Sequence, residues 1–387
     1  MGVVHCPRRM SHDSEVMQAA QPSTRDAGET DHDAPSLTGH APKAPGPRLP
    51  EGVFFSNDGV TVRHQRARPE WMEGRLEEVV WGTGGLRYRI RDVEEMLQAV
   101  PDVTWVVLEH QGEPVASLGI VVRPRTWNWE VVDTAYLALL VVKADQQRRG
   151  FGRALLRETR RFVLQKMPRC LVFALVEADN IASLKAAAGA GFERVSRVDM
   201  VNLARTAPRA STRVHRLSSE LLPELLTRLK VSYGKHQLYD GAASVLPQHC
   251  WTLTEGGRML AALQAERRRT ELVDLGYRGW LKRALPWLPV LRTLVDPSDY
   301  RFLWIQHIWF ADGHAAEAFE LVEGVLHATT HRLAVVQWDP GSPIYRRWRR
   351  GGRIGILAPF TQHFHVVLAR GGVEVAREPF VYALSGV

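Results

Sequence analysis

The residues best suited to bind a charged ligand lie in one stretch, Ala135 to Arg157, which reads AYLALLVVKADQQRRGFGRALLR. An apolar run predicts a buried strand, and a polar loop with two glycines then opens the apolar periodicity of a helix. The first N–H groups of such a helix have no intrahelical acceptor and lie at the positive end of its dipole, so they bind phosphate. The predicted phosphate-binding loop consists of Gln147, Arg148, Arg149, Gly150, Phe151, Gly152 and Arg153.

The spacing of the glycines distinguishes this loop from two common nucleotide-binding motifs. A Walker loop ends in Gly-Lys-Ser/Thr, and this loop does not. A dinucleotide fingerprint needs a third glycine at the position of Leu155. The pattern Gln-x-x-Gly-x-Gly between an apolar strand and a helix resembles instead the acyl-CoA pyrophosphate loop of the GNAT-type N-acetyltransferases.

A second motif strengthens this resemblance. After a further apolar strand at 171–176, the sequence Asn180-Ile-Ala-Ser183 and then Gly191-Phe192 is similar to the family's second CoA-contacting helix. The resemblance implies that Asn180 bonds pantetheine or caps this helix. It also implies that the backbones of Leu140 and Val142 pair with the pantetheine arm, as a strand would. The expected acyl donor is acetyl-CoA.

Composition and element order predict the domain organisation. Residues 1–48 contain few large apolar side chains and predict a disordered tail. Residues 49–205 predict a mixed α/β sheet in the order of the GNAT fold, with a closing hairpin over 192–203. A linker at 206–212 precedes a second unit at 213–387, where a similar order predicts a degenerate GNAT-like domain; an unrelated α/β domain is the alternative.

The second unit lacks the features of the phosphate-binding loop. After its apolar strand the sequence is Ala311-Asp312-Gly313-His314, with one glycine and no arginine pair. We therefore expect one acyl-CoA site per chain. The pairs His327/His331 and His363/His365 have no third ligand at a metal-binding spacing, so surface histidines and no metal are expected.

Charge and cysteine usage limit the partners and the compartment. The net charge of +8 includes an arginine cluster at 346–353, but no nucleic-acid-binding motif accompanies it, so we expect no nucleic-acid partner. Three widely separated cysteines favour a reducing, cytoplasmic location over a disulfide framework. No stretch is apolar for the roughly 20 residues that a membrane span needs. A homo-oligomer remains open.

The usual acid and base of the resembled family do not carry over. Ala187 stands seven positions after Asn180, where the family often has a tyrosine, and Tyr136 stands where a glutamate is the alternative. Glu177 at a strand end could deprotonate an amine through water, or be an exposed strand end or helix cap. Tyr136 could donate to the thiolate or belong to the core. The remaining candidates are two carboxylates that could face the acceptor or be solvated, Glu130 and Asp133.

Two functions fit these residues. The first is an acyl-CoA-dependent N-acyltransferase in which a primary amine attacks the thioester directly, so that its partners are acyl-CoA and an amine acceptor. The second is a catalytically silent tandem GNAT fold that binds CoA as a sensor or scaffold. Ala187, in the place of the usual tyrosine, keeps the second open.

Overall fold

The strands of both halves of the chain join in one sheet. The computed structural model describes residues 48–72, 74–82, 87–98, 102–274, 296–352, 354–355, 361–374 and 381. The predicted disordered tail lies outside these residues except for Arg48, and so does most of the strand predicted near the C-terminus at 380–384. The predicted mixed α/β sheet is confirmed.

The first half is an antiparallel meander followed by strand–helix units. Its strands are β1 (Gly52–Asn57), β2 (Val60–Gln65), β3 (Arg87–Ile90), β4 (Val103–His110), β5 (Glu113–Trp127), β6 (Glu130–Val142), β7 (Leu171–Glu177) and β8 (Glu193–Ala204). Its helices are α1 (Val93–Gln98), α2 (Phe151–Lys166) and α3 (Ile181–Gly189).

The second half repeats this order. Its strands are β9 (Val214–Arg216), β10 (Cys250–Glu255), β11 (Arg258–Asp274), β12 (Tyr300–Phe310), β13 (Leu333–Trp338) and β14 (Gln362–Arg370). Its helices are α4 (Leu222–Tyr233), α5 (Ala315–Ala328) and α6 (Pro343–Arg350). The β10–β11 hairpin, with a turn at Gly256 and Gly257, was not predicted. The predicted linker at 206–212 contains neither helix nor strand.

The two halves exchange their last strands. The sheet order is β1-β2-β4-β5-β6-β7-β14-β8-β13-β12-β11-β10-β9, and β3 pairs with β11. Strand β14 of the second half therefore lies between β7 and β8 of the first, and β8 pairs with β13 of the second. The hairpin predicted over 192–203 is wrong, because β8 is one continuous strand whose antiparallel partners come from the second half.

Helices α2 to α6 cover one face of this sheet, and α1 packs on the opposite face with Trp105 of β4. Helix α2 buries Leu155, Phe162 and Val163 against inward residues of β4 to β7, together with Val367 and Ala369 of β14. Helices α5 and α6 form the larger cluster on the second half, which includes Val201 and Leu203 of β8. Each half therefore completes its core with residues of a strand that the other half donates.

The strand exchange leads to a first prediction. We expect a protease site inserted at 206–210, followed by complete cleavage, to leave the two fragments associated, because β8 of the first fragment pairs with β13 and β14 of the second, and β14 pairs with β7 and β8 of the first. Size-exclusion chromatography of the nicked protein should give the elution volume of the uncut chain in native buffer and two species in denaturant. Separation of the fragments in native buffer would contradict the exchange.

Candidate active site

The predicted phosphate-binding loop forms a left-handed turn at the start of α2. A 3-10 turn at Ala144–Gln146 follows β6, and Gly150, the N-cap residue of α2, has φ 89°. This left-handed conformation favours glycine, because a Cβ there costs about 1–2 kcal/mol. Among the described residues no side chain caps the helix, so its first N–H groups remain available to a ligand.

Close packing brings the loop against the end of β6. A Cβ on Gly152 would lie 3.5 Å from Val142 Cγ2 and 4.0 Å from Leu140 Cδ2, which is ordinary contact distance. The Gln147 side chain donates from Nε2 to the Val142 carbonyl oxygen over 3.3 Å. The structure thus brings together loop and strand residues that the sequence predicted to contact one ligand.

The three arginines of the loop differ in placement. Arg148, with φ 65°, and Arg153 line the cavity next to the loop. The Arg149 guanidinium instead lies 5.1 Å from the centre of the Phe151 ring and donates to Gln146 Oε1. Arg148 and Arg153 are therefore the two arginines of the loop that line this cavity.

A gap opens between β6 and β7 beyond the loop. In the described ladder, β6 pairs with β7 at Thr134, Ala135 and Tyr136, and the two parallel strands separate after that point. On the other side of β6 a register shift against β5 places one extra residue between Ala138 and Val141. Leu139 there has φ 52°, so the backbone of Leu139 and Leu140 leaves the described ladders at the gap.

A cavity of ≈ 1200 Å³ joins the loop, this gap and the second half. Its volume exceeds the roughly 300–1,000 Å³ of ordinary small-molecule sites. The donor side is lined by Leu140, Val142, Gln147, Arg148, Gly150, Phe151, Gly152, Arg153 and Asn180. The other side is lined by residues of the second half and of β8, among them Arg268, Thr270, Tyr300, Phe302, Trp304, Val335, Gln337, Met200 and Asn202.

Two of the four predicted catalytic residues line the cavity. Glu177 lies at the end of β7, and Tyr136 stacks on Phe173 with 5.1 Å between ring centres. Burial raises the pKa of Tyr136 to about 12, although Arg125 opposes the shift, so the phenol keeps its proton at neutral pH. A tyrosine that the sequence analysis missed, Tyr88 of β3, also lines the cavity, and burial together with the charge of Glu177 raises its pKa.

Glu130 and Asp133 do not line the cavity. Glu130 is the first residue of β6, with its side chain 73% exposed and 4.0 Å from Arg169. Asp133 lies three residues further, before the paired segment of β6 and β7, and its charge contributes to a raised pKa of Cys170. Since strands rise about 3.3 Å per residue, Glu130 starts roughly 25–30 Å from the Leu139 bulge.

The helix that follows β7 matches the second predicted motif. Asn180 caps α3, accepting a hydrogen bond at Oδ1 from the Ser183 N–H over 2.9 Å, and it lines the cavity. At the other end of α3, the Phe192 N–H donates to the Ala187 carbonyl. Ala187 is buried and lines the cavity, so no phenol projects from this position.

The equivalent gap of the second half is filled by the chain itself. Strand β12 pairs with β13 at Leu303 to Ile305 and carries its own extra residue, where His307 has φ 50°. The Tyr233 hydroxyl donates to the carbonyl of Ile308, which corresponds to Leu140 in the first half. His307 is buried with Nε2 3.0 Å from Ser244 Oγ, and burial lowers its pKa.

Comparison with known proteins gives a family match for part of the chain. Residues 69–192 match the model of the Acetyltransferase (GNAT) family. The chain carries a GNAT domain. A comparison with curated proteins finds no match.

The fold of one solved structure, N-myristoyltransferase, extends over both halves. N-myristoyltransferase of Saccharomyces cerevisiae, solved with bound myristoyl-CoA, is 8% identical with a TM-score of 0.52, and the match covers 84% of this chain and 86% of that chain. A GCN5-related N-acetyltransferase from Sphaerobacter thermophilus is 14% identical with a TM-score of 0.46, covering 73% of this chain and 87% of that chain. The predicted GNAT fold, with two tandem GNAT-like halves, is confirmed.

Two searches of the described residues gave negative results. No described helix is long and apolar enough to cross a membrane. Within the same residues, no group of three or more His, Cys, Asp or Glu side chains is arranged to hold a metal ion.

The loop geometry leads to a second prediction, with a matched control in the same chain. Gly150→Asp places a carboxylate where backbone must meet pyrophosphate, so we expect CoA affinity measured by calorimetry to fall by at least roughly tenfold. Gly313→Asp is the control, because Gly313 has φ 83° and, like Gly150, open space around a new Cβ. Both variants should lose similar stability, and only Gly150→Asp should lose CoA. Equal CoA affinity in two folded variants would refute the loop assignment.

Proposed function

We propose that this protein is an acyl-CoA-dependent N-acyltransferase that transfers an acetyl group from acetyl-CoA to a primary amine. The observation that carries the proposal is the gap between β6 and β7, where the backbone of Leu139 and Leu140 leaves the ladder beside the phosphate-binding loop. An extended amide chain can pair with such free strand backbone as an added strand does. The pantetheine arm of CoA contains two amides, and its pyrophosphate would lie at the start of α2.

The reaction needs a neutral amine and a protonated leaving group. In the proposed step the amine nitrogen attacks the thioester carbon, the C–N bond forms and the C–S bond breaks. The ammonium proton passes through water to Glu177, and the CoA thiolate takes a proton from solvent or from Tyr136. Since a thiol pKa is about 8.5, the thiolate can leave near neutral pH without a positioned acid. This property is needed because the buried residue at position 187 is an alanine, which has no proton to donate.

The packing around the gap supports a short acyl group. The stacked rings of Tyr136 and Phe173 lie where β6 and β7 come together, at the closed end of the gap. A long acyl chain directed into this closed end would have to displace both rings, whereas an acetyl group would not. This packing is the basis for proposing acetyl-CoA as the donor.

The second half is proposed to bind no acyl-CoA. The Tyr233 hydroxyl donates a hydrogen bond to the bulge carbonyl with which pantetheine would have to pair there. The loop before α5 also has Asp312 in place of arginine. Arg347 pairs with Asp312, which further reduces positive charge at that helix start. The free, buried thiols of Cys170 and Cys250 agree with the proposed cytoplasmic location.

A third prediction tests the division between the halves. Titration of the full chain with acetyl-CoA in a calorimeter should give one site per chain. In the Gly150→Asp variant that site should be weakened, and no site of unchanged affinity should remain, because the second half offers no free strand backbone at the bulge. Two sites in the unmodified chain, or a site of unchanged affinity in Gly150→Asp, would contradict the proposal that the second half binds no acyl-CoA.

A fourth prediction tests the base. Glu177→Gln should lower kcat by roughly 10²–10⁴ at neutral pH, because proton transfer by a positioned carboxylate is lost. Activity should rise towards alkaline pH, because the neutral fraction of an amine with a pKa of about 10.4 increases there. The measurement is the rate of CoA release with a primary amine from pH 6 to pH 10.

Glu130→Gln is the matched control, since Glu130 is an exposed carboxylate on β6, the strand next to β7, and it lies outside the cavity. Its pH profile should coincide with that of the unmodified chain. A loss of activity in Glu130→Gln with a normal Glu177→Gln would place the base at the start of β6 instead.

A further inference from the structure

The acceptor side of the cavity is a continuous surface that crosses from the first half to the second. Strands β7, β14, β8 and β13 are successive neighbours in the sheet. Across them Glu177 pairs with Phe364, Phe364 pairs with Val198, and Met200 pairs with both Gln362 and Gln337. These pairs place Glu177 near one end of a row and Gln337 near the other.

Both ends of this row lie on the face opposite to the covering helices. On β7, Glu177 has the same parity as Phe173 and Leu175, which cluster with Val198. On β13, Gln337 has the same parity as Val335, which clusters with Met200. Because alternate residues of a strand share a face, Val198 and Met200 join the two clusters on one face. All of the row except Val198 lines the cavity.

Gln337 is an unexplained polar group in this surface. Its side chain is 4% exposed, and among the described residues its Oε1 atom has no hydrogen-bond partner. The amide group of a glutamine offers both an acceptor and a donor, and buried groups of this kind are almost always paired in native proteins. Gln337 lines the cavity, and because the Oε1 atom itself has almost no accessible surface, a rotation of the side-chain amide would be needed for a bound molecule to become its partner.

Two further polar atoms on the cavity wall support a polar ligand. Asp92 Oδ1 and Trp81 Nε1 are buried and, within the described part of the chain, without hydrogen-bond partners. Asp92 uses its other oxygen for Arg268 at 3.7 Å. Both residues line the same cavity as Gln337, and both lie in the part of the first half that precedes β4.

The distance between the ends of the row sets the length of the ligand. Neighbouring strands lie about 4.8 Å apart, so the three steps from β7 to β13 span roughly 14 Å, and the two-residue offset from Val198 to Met200 adds roughly 7 Å along the strands. Glu177 and Gln337 are therefore roughly 16 Å apart, and a hydrogen bond of roughly 3 Å at each end leaves roughly 10 Å for the molecule between them. Phe364 and Met200 form an apolar floor along this span.

We propose that Gln337 binds the far end of the amine acceptor and thereby determines its class. The acceptor is a primary amine on an apolar chain that carries an amide group roughly 10 Å from the nitrogen. The amine end lies at Glu177, which rests on the proposed N-acyltransferase function, and the amide end pairs with the Gln337 side chain. The second half of the chain thus contributes the selectivity for the acceptor.

Acetyl transfer to two matched amines tests this subsite. The probes are 6-aminohexanamide and hexylamine, which have chains of the same length and differ in the terminal amide. The unmodified chain should prefer the amide in kcat/KM by roughly tenfold or more, because a site built to pair a polar group discriminates against an analogue lacking it. Gln337→Met, which conserves volume, should raise KM for the amide, leave kcat nearly unchanged and bring the ratio of kcat/KM values close to one.

Gln65→Met is the control, because Gln65 lies on β2 outside this cavity, and it should retain the preference. Calorimetry of acetyl-CoA should give the same affinity in all three proteins. An unmodified chain that treats the two amines alike, or a Gln337→Met variant that keeps the preference, would overturn the subsite.

A binding experiment separates this inference from the proposed reaction. Hexanamide has the amide and no amine, so it should bind the CoA-loaded chain and not the CoA-loaded Gln337→Met variant. Binding that depends on Gln337, with neither amine acetylated, would retain the subsite and reject the transferase function. Transfer to hexylamine, with hexanamide binding equally to both proteins or to neither, would retain the function and reject the subsite.

Discussion

The unequal pairing of β7 is the constraint on which the site depends. On one side β7 pairs with β14 from Leu171 to Glu177, and on the other it pairs with β6 at Leu171 to Phe173. Because β14 holds the rest of β7, the strand cannot swing back to close the gap that would receive pantetheine. The first half thus owes the shape of its cavity to a strand of the second half.

Local features of the site were predictable from the sequence, because they depend on neighbouring residues. The glycine before α2, the Asn180 cap and the Gly191-Phe192 helix end each satisfy backbone requirements within a few positions. The sequence also predicted the central strand, which extends further than expected to Glu130. These features were sufficient to recognise the donor side.

The acceptor side was not predictable, because it depends on pairing between distant residues. The hairpin over 192–203 was predicted from sequence adjacency, whereas β8 pairs with strands more than a hundred residues away. Glutamine at position 337 in an apolar strand and tyrosine at position 88 carry no motif. Their position on one cavity depends on the long-range pairing of β13 with β8 and of β3 with β11.

The bulges of β6 and β12 have similar backbone geometry but different surroundings. Leu139 and His307 occupy equivalent left-handed positions, so both halves free a carbonyl next to a gap between parallel strands. In the second half the Tyr233 hydroxyl satisfies that carbonyl, and Ser244 contacts His307. A ligand that displaced the tyrosine hydroxyl from this buried carbonyl would replace one hydrogen bond with another and gain no net hydrogen bond.

The environment of Glu177 fits a reaction that begins with an ammonium and proceeds through a neutral amine. Burial and the charge of Glu177 raise the pKa of Tyr88, and burial raises that of Tyr136, so both phenols are neutral near the carboxylate. A cationic amine is drawn to this carboxylate, while the apolar floor of Phe364 and Met200 favours its uncharged form. In the proposed reaction, proton transfer to Glu177 would convert the ammonium that the carboxylate attracts into the neutral amine that the apolar floor favours and that attack on the thioester requires.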